Sequence, residues 1–166
     1  MTITDAQLNA KYESGTNRLL TESDRIKLPK LVENIKNNPD YMMIDSDWSS
    51  SWNQVTKSRL IESLLINIPV TPIVVFEKAY KSHEVIDGRE RLKTIVDFYS
   101  NRLTLTGMEI QTDIEGCTYS TLPARIKFRL NNRGLNFINC IPENEEQSEL
   151  ENKTLIKTIR QRYETI

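Results

Sequence analysis

The 166-residue sequence holds a single histidine and only two cysteines, Cys117 and Cys140. That scarcity argues against a metal centre of nitrogen and sulfur ligands, and the cysteine spacing matches no zinc site. Both cysteines are expected as reduced thiols. No apolar run approaches the length of a membrane span. The N-terminal MTITDAQLNAKYESG is polar, carries acids early and lacks the profile of a signal peptide. A cytoplasmic protein with no membrane partner is therefore expected. Neither sign of charge dominates: 22 Lys and Arg face 23 Asp and Glu, a net charge of -1. Binding to nucleic acid would need a local patch rather than a global field. No internal repeat or low-complexity tract is visible. What is present, 38% hydrophobic and 27% charged residues, is the composition of a folded domain with enough chain for a core.

Residues 1–22 show little periodicity and are expected as a loose arm. Residues 23–38 read as a helix with Ser23 or Asp24 as cap and Leu28, Leu31, Val32 and Ile35 as its apolar stripe, with Pro29 marking where the regular part begins. PDYMMIDSDW looks like a turn and a short extended piece, and Asp45 and Asp47 in it are too lightly framed to serve as metal ligands. SSSWNQ supplies caps for a helix over 53–67 with Ile61, Leu64, Leu65 and Ile68 on one face, ended by Pro69. TPIVVFE (71–77) and HEVID (83–87) are short apolar strands close enough for a hairpin. After Gly88 a helix carries Leu92, Ile95, Val96 and Tyr99 on one face. RLTLTGMEI reads as a further strand and turn, STLPARIKFRL as a short helix and LNFINCIPE as a final strand. The stretch 143–151 is acidic and begins a linker. Residues 152–166 place Ile156, Ile159, Tyr163 and Ile166 at helical spacing, among Lys153, Lys157, Arg160 and Arg162. The domain is thus expected over 23–142, with 143–166 as an acidic linker and amphipathic helix. That helix is a candidate for packing on the domain, for self-association or for docking an effector subunit.

The chemistry concentrates at YKSHEVIDGRERLKTIVDFY (80–99). A glycine at the end of a buried strand permits a sharp turn. The helix that follows offers unpaired N–H groups and the positive end of its dipole, which favours phosphate. Arg89 and Arg91 add guanidinium donors matched to phosphate oxygens. Asp87 and Glu90 are the candidate catalytic carboxylates: they can orient those arginines or a metal-bound water. The plainer alternative is a solvated turn of arginine–glutamate pairs.

The order KSRLIESLLINIPVTPIVVFE…HEVIDGRERLKTIVDFYSNRL resembles the DGQQR-motif family, the modification-dependent restriction and phage-defence group of the ParB/sulfiredoxin superfamily. Residues 57–105 follow its order of helix, Ile-Pro-x-x-Pro-Ile, strand and Asp-Gly-x-x-Arg-Leu, and a looser match spans about 28–141. The resemblance implies a small α/β (α+β) domain with a short mixed sheet flanked by helices and a nucleotide site at the turn. ParB-like proteins bind cytidine triphosphate there, sulfiredoxins bind ATP, and the DGQQR group hydrolyses nucleotide to license DNA cleavage. It implies a nucleoside triphosphate with magnesium as cofactor, held by Gly88, Arg91, Thr94 and Arg89, with Lys57 as a further cation. Asp87, Gly88 and Arg91 match the motif. Arg89 and Glu90 replace its two glutamines, Trp52 fits a family tryptophan whose preceding Gln-Arg pair is missing, and no HNH nuclease module is visible. These departures leave hydrolysis open.

His83, at the strand entering the turn, reads as a packed or rim residue rather than a base. Trp48 and Trp52 either stack on a base or cover the edge of the core. Arg125, Lys127, Arg129 and Arg133 give a broad positive surface, solvated or facing DNA backbone. Three functions compete: a nucleotide-binding module, with or without hydrolysis, in DNA-modification sensing or phage defence; a catalytically degenerate binding or regulatory subunit; and a ParB-like DNA-binding factor.

Overall fold

In the computed structural model, which describes residues 2–44 and 48–164, the chain runs α1 (Asp5–Glu13), β1 (Leu19–Lys27), α2 (Leu28–Asn37), α3 (Gln54–Leu65), β2 (Ile73–Ala79), β3 (Ser82–Asp87), α4 (Arg89–Tyr99), α5 (Ala124–Asn131), β4 (Gly134–Pro142) and α6 (Glu149–Glu164), with a short 3-10 turn at Thr112–Ile114. The fold is α+β. Its four-stranded sheet has the order β1-β4-β2-β3. β2 and β3 form the expected antiparallel hairpin, β4 lies parallel to β2, and β1 pairs antiparallel with β4 from Leu19↔Pro142 to Lys27↔Gly134.

Alternation along the strands divides the core in two. Ile73 and Val75 of β2, Val85 of β3 and Leu135 and Phe137 of β4 face the helices, where Leu28, Leu31, Leu60, Ile61, Leu92, Ile95, Phe98 and Leu130 cover them. Val74, Phe76, Ile86 and Cys140 face the other way and are covered by α6 through Ile156, with Leu155 and Ile159 half-buried beside it. Ile156 is 3% exposed. The apolar stripe expected at the C-terminus is thus engaged within the chain; Ile166 lies outside the described residues.

Three local expectations are corrected. The segment expected as a loose arm contains α1 and the first half of β1. The helix expected from residue 23 starts at Leu28, because 23–27 belong to β1. Lys27, not Ser23 or Asp24, is its N-cap, with Pro29 in the first turn as expected. RLTLTGMEI forms no strand. Leu103 and Leu105 are buried, but the segment is held by the bonds of Leu105 with Cys117 and Gly116 and by the Glu62 carboxylate, which accepts from the backbone N–H groups of Glu109, Ile110 and Gln111.

One edge of the sheet is closed. His83 and Val85 of β3 exchange backbone bonds with Asp40 and Met43, a parallel bridge that pins the 40–43 segment beside the strand leading to Gly88.

Candidate nucleotide site at the Gly88 turn

Asp87 ends β3 and Arg89 begins α4, so the chain reverses at Gly88 alone. Gly88 has φ 113°, and a Cβ there would sit 2.3 Å from Ile73 Cδ1. Both the backbone conformation and the packing of α4 against β2 therefore require glycine. As N-cap, Gly88 brings no side-chain bond to the first turn of α4. The helix thus presents the positive end of its dipole at the turn, with no side chain on the N-cap residue itself.

That turn opens into a cavity of about 280 Å³ lined by Trp48, Trp52, Ile86, Asp87, Gly88, Arg89, Glu90, Arg91, Arg160 and Tyr163. Three guanidinium groups face two carboxylates, and three aromatic rings stand at the rim. A larger opening of about 490 Å³ on the sheet presents Glu22 and Asp24 beside His83 and Asn139, a charge unsuited to phosphate. His83 is a rim residue there: its Nδ1 lies 2.9 Å from the Tyr41 carbonyl and its Nε2 3.6 Å from Glu77.

The charged side chains at the turn have distinct surroundings. Arg91 is 9% exposed. It donates through Nη1 to the Thr71 carbonyl, and through Nη2 to the Pro72 carbonyl at 3.5 Å and to Asp87 Oδ2 at 3.0 Å. Burial lowers its pKa, against the opposing pull of Asp87. Arg91 thus ties the entry of β2 to the exit of β3 as well as lining the cavity. Asp87 is the more open partner, with 46% of its side chain exposed. Glu90 accepts from Ser50 Oγ at 2.7 Å and from the Ser51 backbone N–H at 2.6 Å and Oγ at 3.2 Å. Burial alone would raise its pKa. The bonds from Ser50 and Ser51 and from the Trp52 backbone outweigh that and hold the carboxyl below its usual range. Glu90 therefore fastens the 50–52 segment, Trp52 included, to the start of α4.

Trp52 packs against the main core, which matches a role at its edge. Trp48 lies under Arg89, whose guanidinium carbon is 5.6 Å from the ring centroid, a cation–π distance. Of the residues expected at the site, Gly88, Arg89, Arg91, Asp87 and Glu90 come together. Lys57, in the first turns of α3, does not line the cavity, and Thr94 is fully buried within α4, away from it. Arg160 and Tyr163 were not anticipated there. They arrive from α6, and no local pattern links them to a turn so far away in sequence. Ser50 and Ser51 read as helix caps but serve Glu90, while Asn53 caps α3 by accepting from the Thr56 N–H at 2.9 Å.

The described residues contain no group of three or more His, Cys, Asp or Glu side chains placed to hold a metal ion, and Asp45 and Asp47 lie outside them. Asp87 is the carboxylate of the cavity most open to a hydrated magnesium ion, which typically takes one or two carboxylates together with phosphate oxygens. The basic residues of the α5 region are spread over several contacts. Arg125 and Arg129 border an apolar hollow with Leu65 and Ile126, Lys127 lies over Tyr119, and Arg133 donates to the Leu65 carbonyl. No described helix is long and apolar enough to cross a membrane.

No curated protein and no solved structure matches the chain. One family model does, over residues 49–166: the N-terminal domain of GmrSD restriction endonuclease. The matched stretch starts just after Trp48 and takes in the serines bonded to Glu90, the Gly88 turn, and α6 with Arg160 and Tyr163, which is most of the chain and nearly all of the cavity. The protein belongs to the GmrSD restriction endonuclease N-terminal domain family.

Proposed function

We propose that the chain is the nucleotide-binding module of a restriction and phage-defence system, taking the polyphosphate of a nucleoside triphosphate at the Gly88 turn. One observation carries this reading: the N-terminus of α4 at Gly88, three arginines and the Trp48 and Tyr163 rings meet in one cavity. Helix amides and guanidinium groups suit phosphate oxygens, and aromatic faces suit a base. The resemblance to the ParB/sulfiredoxin superfamily at Asp87, Gly88 and Arg91 supports the same ligand class. With magnesium bound, the metal would supply charge neutralisation between phosphates, and Asp87 would hold one of its waters.

Calorimetric titration with each of the four common nucleoside triphosphates and magnesium tests the reading. Heat of binding with at least one is expected; no heat at millimolar concentration overturns it.

A second reading, binding without turnover, is favoured by the carboxylates themselves. Glu90 is committed to Ser50 and Ser51, and one oxygen of Asp87 to Arg91, so the turn holds no carboxylate dedicated to general-base work. A phosphate-release assay on the nucleotide that binds separates the two. Release that Asp87→Asn abolishes supports hydrolysis, and no release supports a regulatory subunit.

A further inference from the structure

α6 packs on β3, the strand that delivers the Gly88 turn, and sends two side chains into the cavity. Arg160 has 17% of its side chain exposed. It donates through Nη2 to the Val85 carbonyl at 2.8 Å and reaches Glu84 Oε1 at 3.4 Å. The Val85 carbonyl is a neutral partner, and Glu84 is shared with Lys78, which holds it at 2.9 Å. A polyphosphate in the cavity would be a more highly charged partner within the same space, and charge-assisted bonds to phosphate exceed those to a neutral carbonyl. Beyond Arg160, Tyr163 is 41% exposed at the rim. The helix packs on the sheet through Ile156, with Leu155 and Ile159 beside it, so a bond from Arg160 or Tyr163 to a ligand adds to the same docking.

We infer that α6 is a nucleotide-responsive wall: Arg160 binds the polyphosphate, Tyr163 closes beside the base, and occupancy of the Gly88 turn sets how firmly the C-terminal helix is docked. The inference rests on the nucleotide reading above and adds to it a coupling between the site and the end of the chain. Ligand and helix then stabilise each other reciprocally, and α6 becomes the element through which occupancy is reported.

The test uses the full chain with the nucleoside triphosphate that binds most tightly and magnesium. Hydrogen exchange is followed in peptides covering 153–163, and affinity is measured for Arg160→Gln, Tyr163→Ala and, as an exposed control on the same helix, Lys157→Gln. Nucleotide is expected to slow exchange across 153–163. Arg160→Gln is expected to weaken binding about tenfold or more and to abolish that protection. Tyr163→Ala, a change at the rim that spares the core, is expected to weaken binding several-fold, and Lys157→Gln to change neither readout. If the native chain binds nucleotide while exchange in α6 is unchanged, or if both cavity variants bind as tightly as the native chain, the coupling is overturned and the nucleotide site stands. If the native chain binds no nucleotide, both fall together.

Discussion

Gly88 and Arg91 sit three positions apart, and each joins structure to chemistry in a different way. Gly88 carries a left-handed backbone and a contact with Ile73 that leaves no room for a methyl group. Gly88→Ala adds conformational strain to overpacking, and a loss of about 2–4 kcal/mol in chemical denaturation is expected. An unchanged midpoint would show that α4 can shift away from β2 at little cost. Arg91 lines the cavity, but its bonds to Thr71, Pro72 and Asp87 make it a clasp between strands. Arg91→Ala removes charge-assisted bonds from a buried site and should cost about 1.5–3 kcal/mol of stability, in addition to any loss of ligand. Thermal melts without nucleotide check this, and a variant as stable as the native chain would restrict Arg91 to ligand contact. Glu62 gives a pH signature. Burial tends to raise its pKa, but the N–H groups of Gln111, Ile110 and Glu109 win, and the carboxyl lies below its ordinary value of 4.5. A depressed carboxylate stabilises the fold above that value, and the contribution is lost as pH falls through the folded pKa. Glu62→Gln should therefore be less stable than the native chain at neutral pH, and the gap should narrow below pH 4.5. Denaturation midpoints of the two proteins across that range decide it; a gap independent of pH would contradict the assignment.

Among the elements, legibility followed the source of stability. α3, β2, β3, α4 and β4 bury apolar side chains in their own period, and Pro69 and Gly88 punctuate them, so they read directly from residue types. β1 is the opposite case. Its LLTESDRIK is almost wholly exposed, and the strand is stabilised by its backbone ladder to β4, which leaves no apolar rhythm to find. Ser23 and Asp24, good caps in isolation, were claimed by that ladder instead. The stretch 102–110 is the reverse case: Leu103 and Leu105 alternate like a strand, but Leu105 is bonded to Gly116 and Cys117 and the far end of the stretch is held by Glu62. The turn itself was legible because glycine, arginines and helix start are contiguous. Arg160 and Tyr163 were not, since only tertiary packing brings α6 there. α1 buries no residue, and a helix so short gains little from its own hydrogen bonds. Removing residues 1–11, which spares Tyr12 and its contact with Arg18, should shift stability by no more than about 0.5 kcal/mol. A larger loss in urea denaturation would mean that α1 supports the domain.

At the scale of the whole molecule, the sheet separates two cores of unequal size, and the smaller depends on one helix. Deleting 149–166 would uncover Val74, Phe76, Ile86 and Cys140 together, a contiguous apolar face. The truncated protein should bind a hydrophobic dye and either self-associate or unfold at lower denaturant. A monomer with the native midpoint would show that α6 is dispensable to the fold. The family match covers α6 but begins after α2, so the matched stretch contributes three strands and the preceding residues supply the fourth, β1.

The pairing of β1 with β4 also sets a timetable. Residues 19–27 leave the ribosome well before their partner strand, with a polar exposed sequence and no nearby strand to join. Their partner, residues 134–142, comes almost at the end of the domain. The hairpin and its flanking helices can assemble while synthesis continues, but the sheet cannot close before β4 emerges. Contacts between such distant segments slow folding, and α6, which seals the second face, comes later still. During that interval the second face stays unsealed, and the cavity at the Gly88 turn, which needs α6 for a wall, is completed only after the sheet.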